Sequence, residues 1–86
     1  MRKIAELTNP MSCLNRAKPD EMVFVLLGRD IAAPVAIRAW ANWRIQSGQN
    51  TENDIQITEA LRCAEMMDRE RREDEERKNA SIQAKS

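Results

Sequence analysis

A chain of 86 residues makes one domain, and a domain of this length hides only about 60–65% of its unfolded surface, so association is an expected source of stability. Fourteen basic and 14 acidic residues balance to zero formal charge, which removes the electrostatic case for nucleic acid or an anionic membrane. Two cysteines far apart and no histidine leave too few ligands for a zinc site, so no metal and no cofactor are expected.

Taken in order, Met1 to Leu7 reads as a frayed lead-in, and residues 1–9 are expected to be flexible. Asn9-Pro10 offers a helix start, with Asn as cap and Pro where its missing N–H costs nothing. The helix expected from it runs from about Pro10 to Ala17 and turns Met11, Leu14 and Cys13 inward. Cys13 and Cys63 are both expected as small buried hydrophobes in a reducing compartment. Lys18 precedes Pro19 and is pushed out of helical space, which ends that segment.

Met22 to Leu27 carries conflicting signals. Val23, Phe24 and Val25 favour a strand, whereas the Pro19–Glu21 lead and Gly28 punctuate a short helix. No second strand-like run exists in the chain to pair with it, so a short helix is the preferred reading. The alternative is a strand paired between subunits.

Pro34 opens the next helix, expected over 34–46, with Ala33 as its cap or Asp30 capping a preceding turn and Ser47-Gly48 as its stop. Arg38, Asn42 and Gln46 form a narrow polar stripe. Val35, Ala36, Ile37, Ala39, Trp40, Ala41, Trp43 and Ile45 fill the rest of the circumference, the pattern of a helix that is central or contacts two neighbours. Both tryptophans are too much for so small a monomer to cover, which implies a homo-oligomer.

Gln49 to Asp54 reads as a polar turn. The last helix is expected over 53–78. Ile57, Leu61, Ala64 and Met67 repeat at helical spacing and would pack antiparallel on the Trp40 helix. Beyond Met67 the pattern turns to charge, with pairs at i,i+4: Arg69 with Glu73, Arg71 with Glu75, Arg72 with Glu76, Glu73 with Arg77, and Asp74 with Lys78. Residues 79–86 are expected to be flexible. The fold class is therefore all-α: a helical hairpin preceded by one or two short helices, in a single domain spanning 1–86.

The chemistry is sparse. Without histidine a nucleophile–base arrangement lacks its usual base, and Gly28 and Gly48 alone cannot build a phosphate-binding loop. No catalytic residue is assigned and the chain is not expected to be an enzyme. The group with the best claim to a ligand is Arg29, Asp30, Arg38, Trp40, Asn42, Trp43 and Arg44. Guanidinium suits a phosphate, indole a stacked base, and Asn a base edge. The plainer reading of the same residues is core packing with a charged rim.

The stretch DEMVFVLLGRDIAAPVAIRAW is similar to small proteins encoded by phages. The hairpin whose second helix carries ITEALRCAEMMDRER resembles that of viral cyclic-nucleotide sponges, the anti-CBASS and anti-Thoeris proteins. The resemblance covers about Pro34 to Arg72 and rests on helical pattern; no ligand-contacting residue of that family maps to a position here. It implies an oligomeric, non-enzymatic binder that sequesters a cyclic-nucleotide second messenger at subunit contacts. The alternative is a helical inhibitor or adaptor acting on a host defence or replication protein. Val23–Leu27 is too short to cross a bilayer, so no membrane partner is expected. The expected compartment is the cytoplasm, that of the host if the chain is phage-encoded.

Overall fold

A computed structural model describes the backbone of residues 1–85 and the side chains of residues 1–79. Four helices follow one another: α1 (Lys3–Thr8), α2 (Cys13–Arg16), α3 (Ala33–Gln46) and α4 (Ile55–Lys85). Among the described residues there is no strand, and no helix is long and apolar enough to cross a membrane. The expected all-α hairpin, preceded by two short helices, is the observed architecture.

The first two helices are joined by polar groups. Ser12 is buried and caps α2: its Oγ accepts from Asn15 N at 3.2 Å and donates to the Glu6 carbonyl at 2.6 Å. Asn15 Nδ2 reaches the carbonyls of Glu6, Leu7 and Asn9 at 3.0, 3.1 and 2.9 Å. These are the acceptors that a helix end leaves without partners. The expected helix start at Asn9-Pro10 is thus corrected to Ser12-Cys13. Asn9 instead accepts from Met11 N at 2.9 Å, an Asx turn that precedes the helix. Residues 1–9, read as a lead-in, include α1. Arg2 forms an ion pair with Glu70, and the Met1 amine lies 3.1 Å from Cys63 Sγ, so the start of the chain rests on α4.

Met22 to Leu27 forms no helix, which overturns the preferred helical reading. A turn closes ahead of it, with Glu21 N donating to the Lys18 carbonyl at 3.0 Å and Lys18 N to Glu21 Oε1 at 3.0 Å. The β-branched and aromatic residues then keep the backbone out of helix.

Asp30 sets the start of α3, its Oδ1 accepting from Ala32 N at 2.9 Å and its carbonyl from Ala33 N at 3.0 Å. Pro34 sits in the first turn, as expected. Gly48 ends the helix at φ 79°, a left-handed conformation that glycine adopts without a Cβ clash. Among the described residues the buried apolar side chains are Ala33, Pro34, Ala41, Ile57 and Ala64. Three alanines, one proline and one isoleucine let the helices approach closely and hide little apolar area.

Helix α4 has 31 residues and α3 has 14, so at about 1.5 Å per residue they span about 46 and 21 Å. The second half of α4 therefore extends beyond α3. Its backbone stays helical past the expected end at Lys78, through Lys85, where no Gly or Pro interrupts it; Ser86 lies outside the described residues. The Cα radius of gyration is 16.2 Å, against about 12 Å for a compact domain of this length.

Candidate functional site

The closed end of the hairpin is built from Arg44, Gln49, Asn50, Thr51 and Asp54. Arg44 donates through Nε to Asn50 Oδ1 at 2.6 Å and through Nη1 to Gln49 Oε1 at 2.7 Å. Asn50 Nδ2 in turn donates to Asp54 Oδ2 at 2.9 Å. The same carboxylate accepts from Thr51 N at 3.0 Å and Thr51 Oγ1 at 2.9 Å. The Thr51 backbone bond, followed by the Asn50 and Thr51 side-chain bonds, holds the Asp54 carboxyl below its ordinary range. The Arg44 guanidinium also stands 5.6 Å from the centroid of the Trp40 ring, within cation–π reach.

Arg38 is turned to the other helix, where its Nη2 donates to Asp68 Oδ2 at 2.7 Å. Arg71 approaches the other oxygen at 3.3 Å. The bond from Arg38 is the main reason the Asp68 carboxyl is held low, against the opposing effect of partial desolvation.

The seven residues singled out from sequence do not converge. Arg29 and Asp30 are exposed ahead of α3, and Asp30 is occupied in starting the helix. Arg38 is spent on α4. Trp40 and Arg44 form a pair near the C-terminal end of α3, and Trp40 is 39% exposed. Asn42 and Trp43 face outward, with Trp43 62% exposed and Asn42 Oδ1 accepting from Gln46 Nε2 at 3.4 Å. The ends of α3 are about 20 Å apart by its rise, so Arg29 and Arg44 do not share one small ligand within a single chain.

Other expectations fare unevenly. Cys63 is half-buried, but Cys13 is exposed, and both are free thiols. Cys13 opens α2 immediately after its buried Ser12 cap, and that cap, rather than the cysteine, turns inward. Of the charged pairs expected along α4, Asp74 with Lys78 forms at 3.3 Å. Arg69 reaches back to Glu65 at 3.3 Å and Arg71 back to Asp68. Helical side chains lean toward the N-terminus, and Asp68, already fixed by Arg38, gives Arg71 a stationary partner. The Asp54 network went unassigned, although QNTEND marked the turn that contains it.

Among the described residues no group of three or more Cys, Asp or Glu is placed to hold a metal ion. Two open depressions lie on α4, one lined by Arg62, Glu65, Met66 and Arg69, the other by Thr58, Glu59 and Arg62. Each mixes a carboxylate with arginine, and none of the seven residues lines either. Comparison with family models, with curated proteins and with solved structures finds no match for this chain.

Proposed function

We propose that the chain is a non-enzymatic binding protein that works as a homo-oligomer and acts by contact with another protein. The observation that carries this is where its apolar residues lie. Met22 is 95% exposed, Phe24 87% and Ile31 70%, and Val35 and Trp43 stand outward on α3, while the core is mostly alanine. Large apolar side chains left exposed in this number, while the core holds few, point to an interaction surface. Val35, Ala36, Ala39, Asn42, Trp43 and Gln46 share the outer side of α3 at 100° per residue, and none is charged. A partner that meets this side is apolar at the contact.

Affinity capture from host cells tests the reading when paired with light scattering. One protein is recovered by the full chain and lost with Trp43→Asp, and the free chain scatters as a dimer or larger. A monomer that recovers no protein sensitive to Trp43→Asp overturns it.

Cyclic-nucleotide sequestration is the second reading, favoured by the Arg44–Trp40 pair with Asn42 and Trp43 exposed on the same helix. It ranks below protein contact because Arg38 and Arg44 already hold protein partners. Calorimetry against cyclic di- and trinucleotides decides it, and no heat at tens of micromolar across the panel ends it.

A further inference from the structure

We infer that Met22–Leu27 is an intermolecular strand, paired antiparallel with the same segment of a second copy about a two-fold axis at Val25. The inference rests on the homo-oligomer reading and names the element that joins the copies.

The backbone N–H and C=O groups of residues 22–26 make no hydrogen bond within the described residues. Before this segment the Lys18–Glu21 turn is closed, and after it Asp30 N donates to the Leu27 carbonyl at 3.0 Å, so the unpaired run has defined ends. Five of its six side chains are exposed: Val25 is 68% exposed, Leu27 54% and Val23 52%, beside the still more open Met22 and Phe24, while Leu26 is half-buried. Together they leave on the order of 600 Å² of accessible surface per copy, close to the ~800 Å² that each partner contributes to a standard interface. Valine, phenylalanine and leucine suit a strand, and donors and acceptors free along one run are what strand addition requires.

The occupant is a second copy because the flanks are self-complementary. Asp20 and Glu21 precede the segment, and Arg29 follows it at Gly28-Arg29. Neither Asp20 nor Arg29 has an ion-pair partner among the described residues. Antiparallel pairing centred on Val25 sets Phe24 opposite the partner's Leu26 and Val23 opposite the partner's Leu27. It also sets Glu21 opposite the partner's Arg29, twice over by symmetry, while Asp20 falls opposite the partner's Asp30, where the strand has already turned into the α3 start that Asp30 holds through Ala32 N. Parallel pairing would instead set acid on acid and arginine on arginine. Within the segment there is no charge to oppose.

The test uses the full chain. In a Cys13→Ser, Cys63→Ser background, Val25→Cys forms a disulfide dimer under mild oxidation, because the axis places that position opposite itself. Arg29→Glu weakens dimerisation roughly tenfold in sedimentation equilibrium, and adding Asp20→Arg and Glu21→Arg recovers it. Circular dichroism of each variant against the Cys13→Ser, Cys63→Ser background checks that the helices are kept; positions 20, 21, 25 and 29 lie outside all four helices. A wild-type chain that is monomeric at about 100 μM overturns both the strand and the homo-oligomer reading. A wild-type dimer in which Trp43→Cys cross-links and Val25→Cys does not overturns the strand alone, since the outer side of α3 then joins the copies.

Discussion

The closed end of the hairpin and the segment from Met22 to Leu27 are opposite solutions to the same length limit. Around Arg44, Asn50 and Asp54, nearly every polar group has a protein partner, and little apolar surface is needed to hold the turn. In Met22–Leu27 the backbone groups of residues 22–26 make no hydrogen bond among the described residues, and the side chains are apolar and, half-buried Leu26 apart, open. Polar groups set the geometry within the chain, while its larger hydrophobes face outward. A small protein divided in this way keeps its own fold with hydrogen bonds and close alanine packing, and leaves much of its apolar area exposed.

The sharpest way to break that division is to remove the one large side chain the hairpin buries completely. Ile57 has no exposed surface, and Ile57→Ala is expected to destabilise by about 2–4 kcal/mol, as for other large-to-alanine core changes. Urea unfolding monitored by circular dichroism reads it. The other apolar residues buried among the described ones are three alanines and Pro34, so little bulk remains to fill the space. A loss under about 0.5 kcal/mol, the ordinary surface range, would show that apolar burial between α3 and α4 matters less than the polar turn.

What was legible in the sequence follows the same line. The spacing of Ile57, Ala64 and Met67, and the Ser47-Gly48 stop, are local signals, and they place the hairpin correctly. The segment Met22–Leu27 departs from its sequence expectation because its flanks signal a helix while its side chains resist one, and nothing local decides between them. The polar partners were less accessible still. Arg38 finds Asp68 thirty positions away, and no pattern within α3 announces an interhelical ion pair. The seven-residue ligand group assumed convergence along one helix, whereas 100° per residue separates Arg38 from Trp40 and turns Trp43 outward.

A smaller effect is expected where α1 meets α2. Both Asn9 and Ser12 are competent caps, and Ser12 is the one that closes the helix, because its hydroxyl also donates to the Glu6 carbonyl. Ser12→Ala is expected to cost about 1 kcal/mol, and Asn9→Ala less. Thermal unfolding of the two variants side by side gives the ordering. The reverse order would return the helix start to Asn9-Pro10 and place the polar anchor of the N-terminal third one turn earlier.

Acid separates the two regions most gently. The carboxyls of Asp54, Asp68 and Glu70 are all held below their ordinary values, by the Thr51 backbone bond, the Arg38 bond and the Arg2 bond respectively. A depressed folded value means that the native state binds the proton less readily than the unfolded chain. The stabilisation is therefore complete above the unfolded values near 4, and is lost as pH falls through the lower folded ones. Stability to urea is expected to be level from about pH 7 to 5 and to decline below about pH 4. Asp54→Asn should flatten part of that decline and lower the plateau, because the amide keeps one acceptor but loses the charge that favours the Thr51 bonds. Met22–Leu27 contains no ionisable side chain, so this acid profile belongs to the hairpin and its contacts. The Asp20→Asn, Glu21→Gln variant should be weakened as a dimer at neutral pH, through loss of the proposed pairing with Arg29 of a second copy, while its hairpin unfolds with the wild-type acid profile.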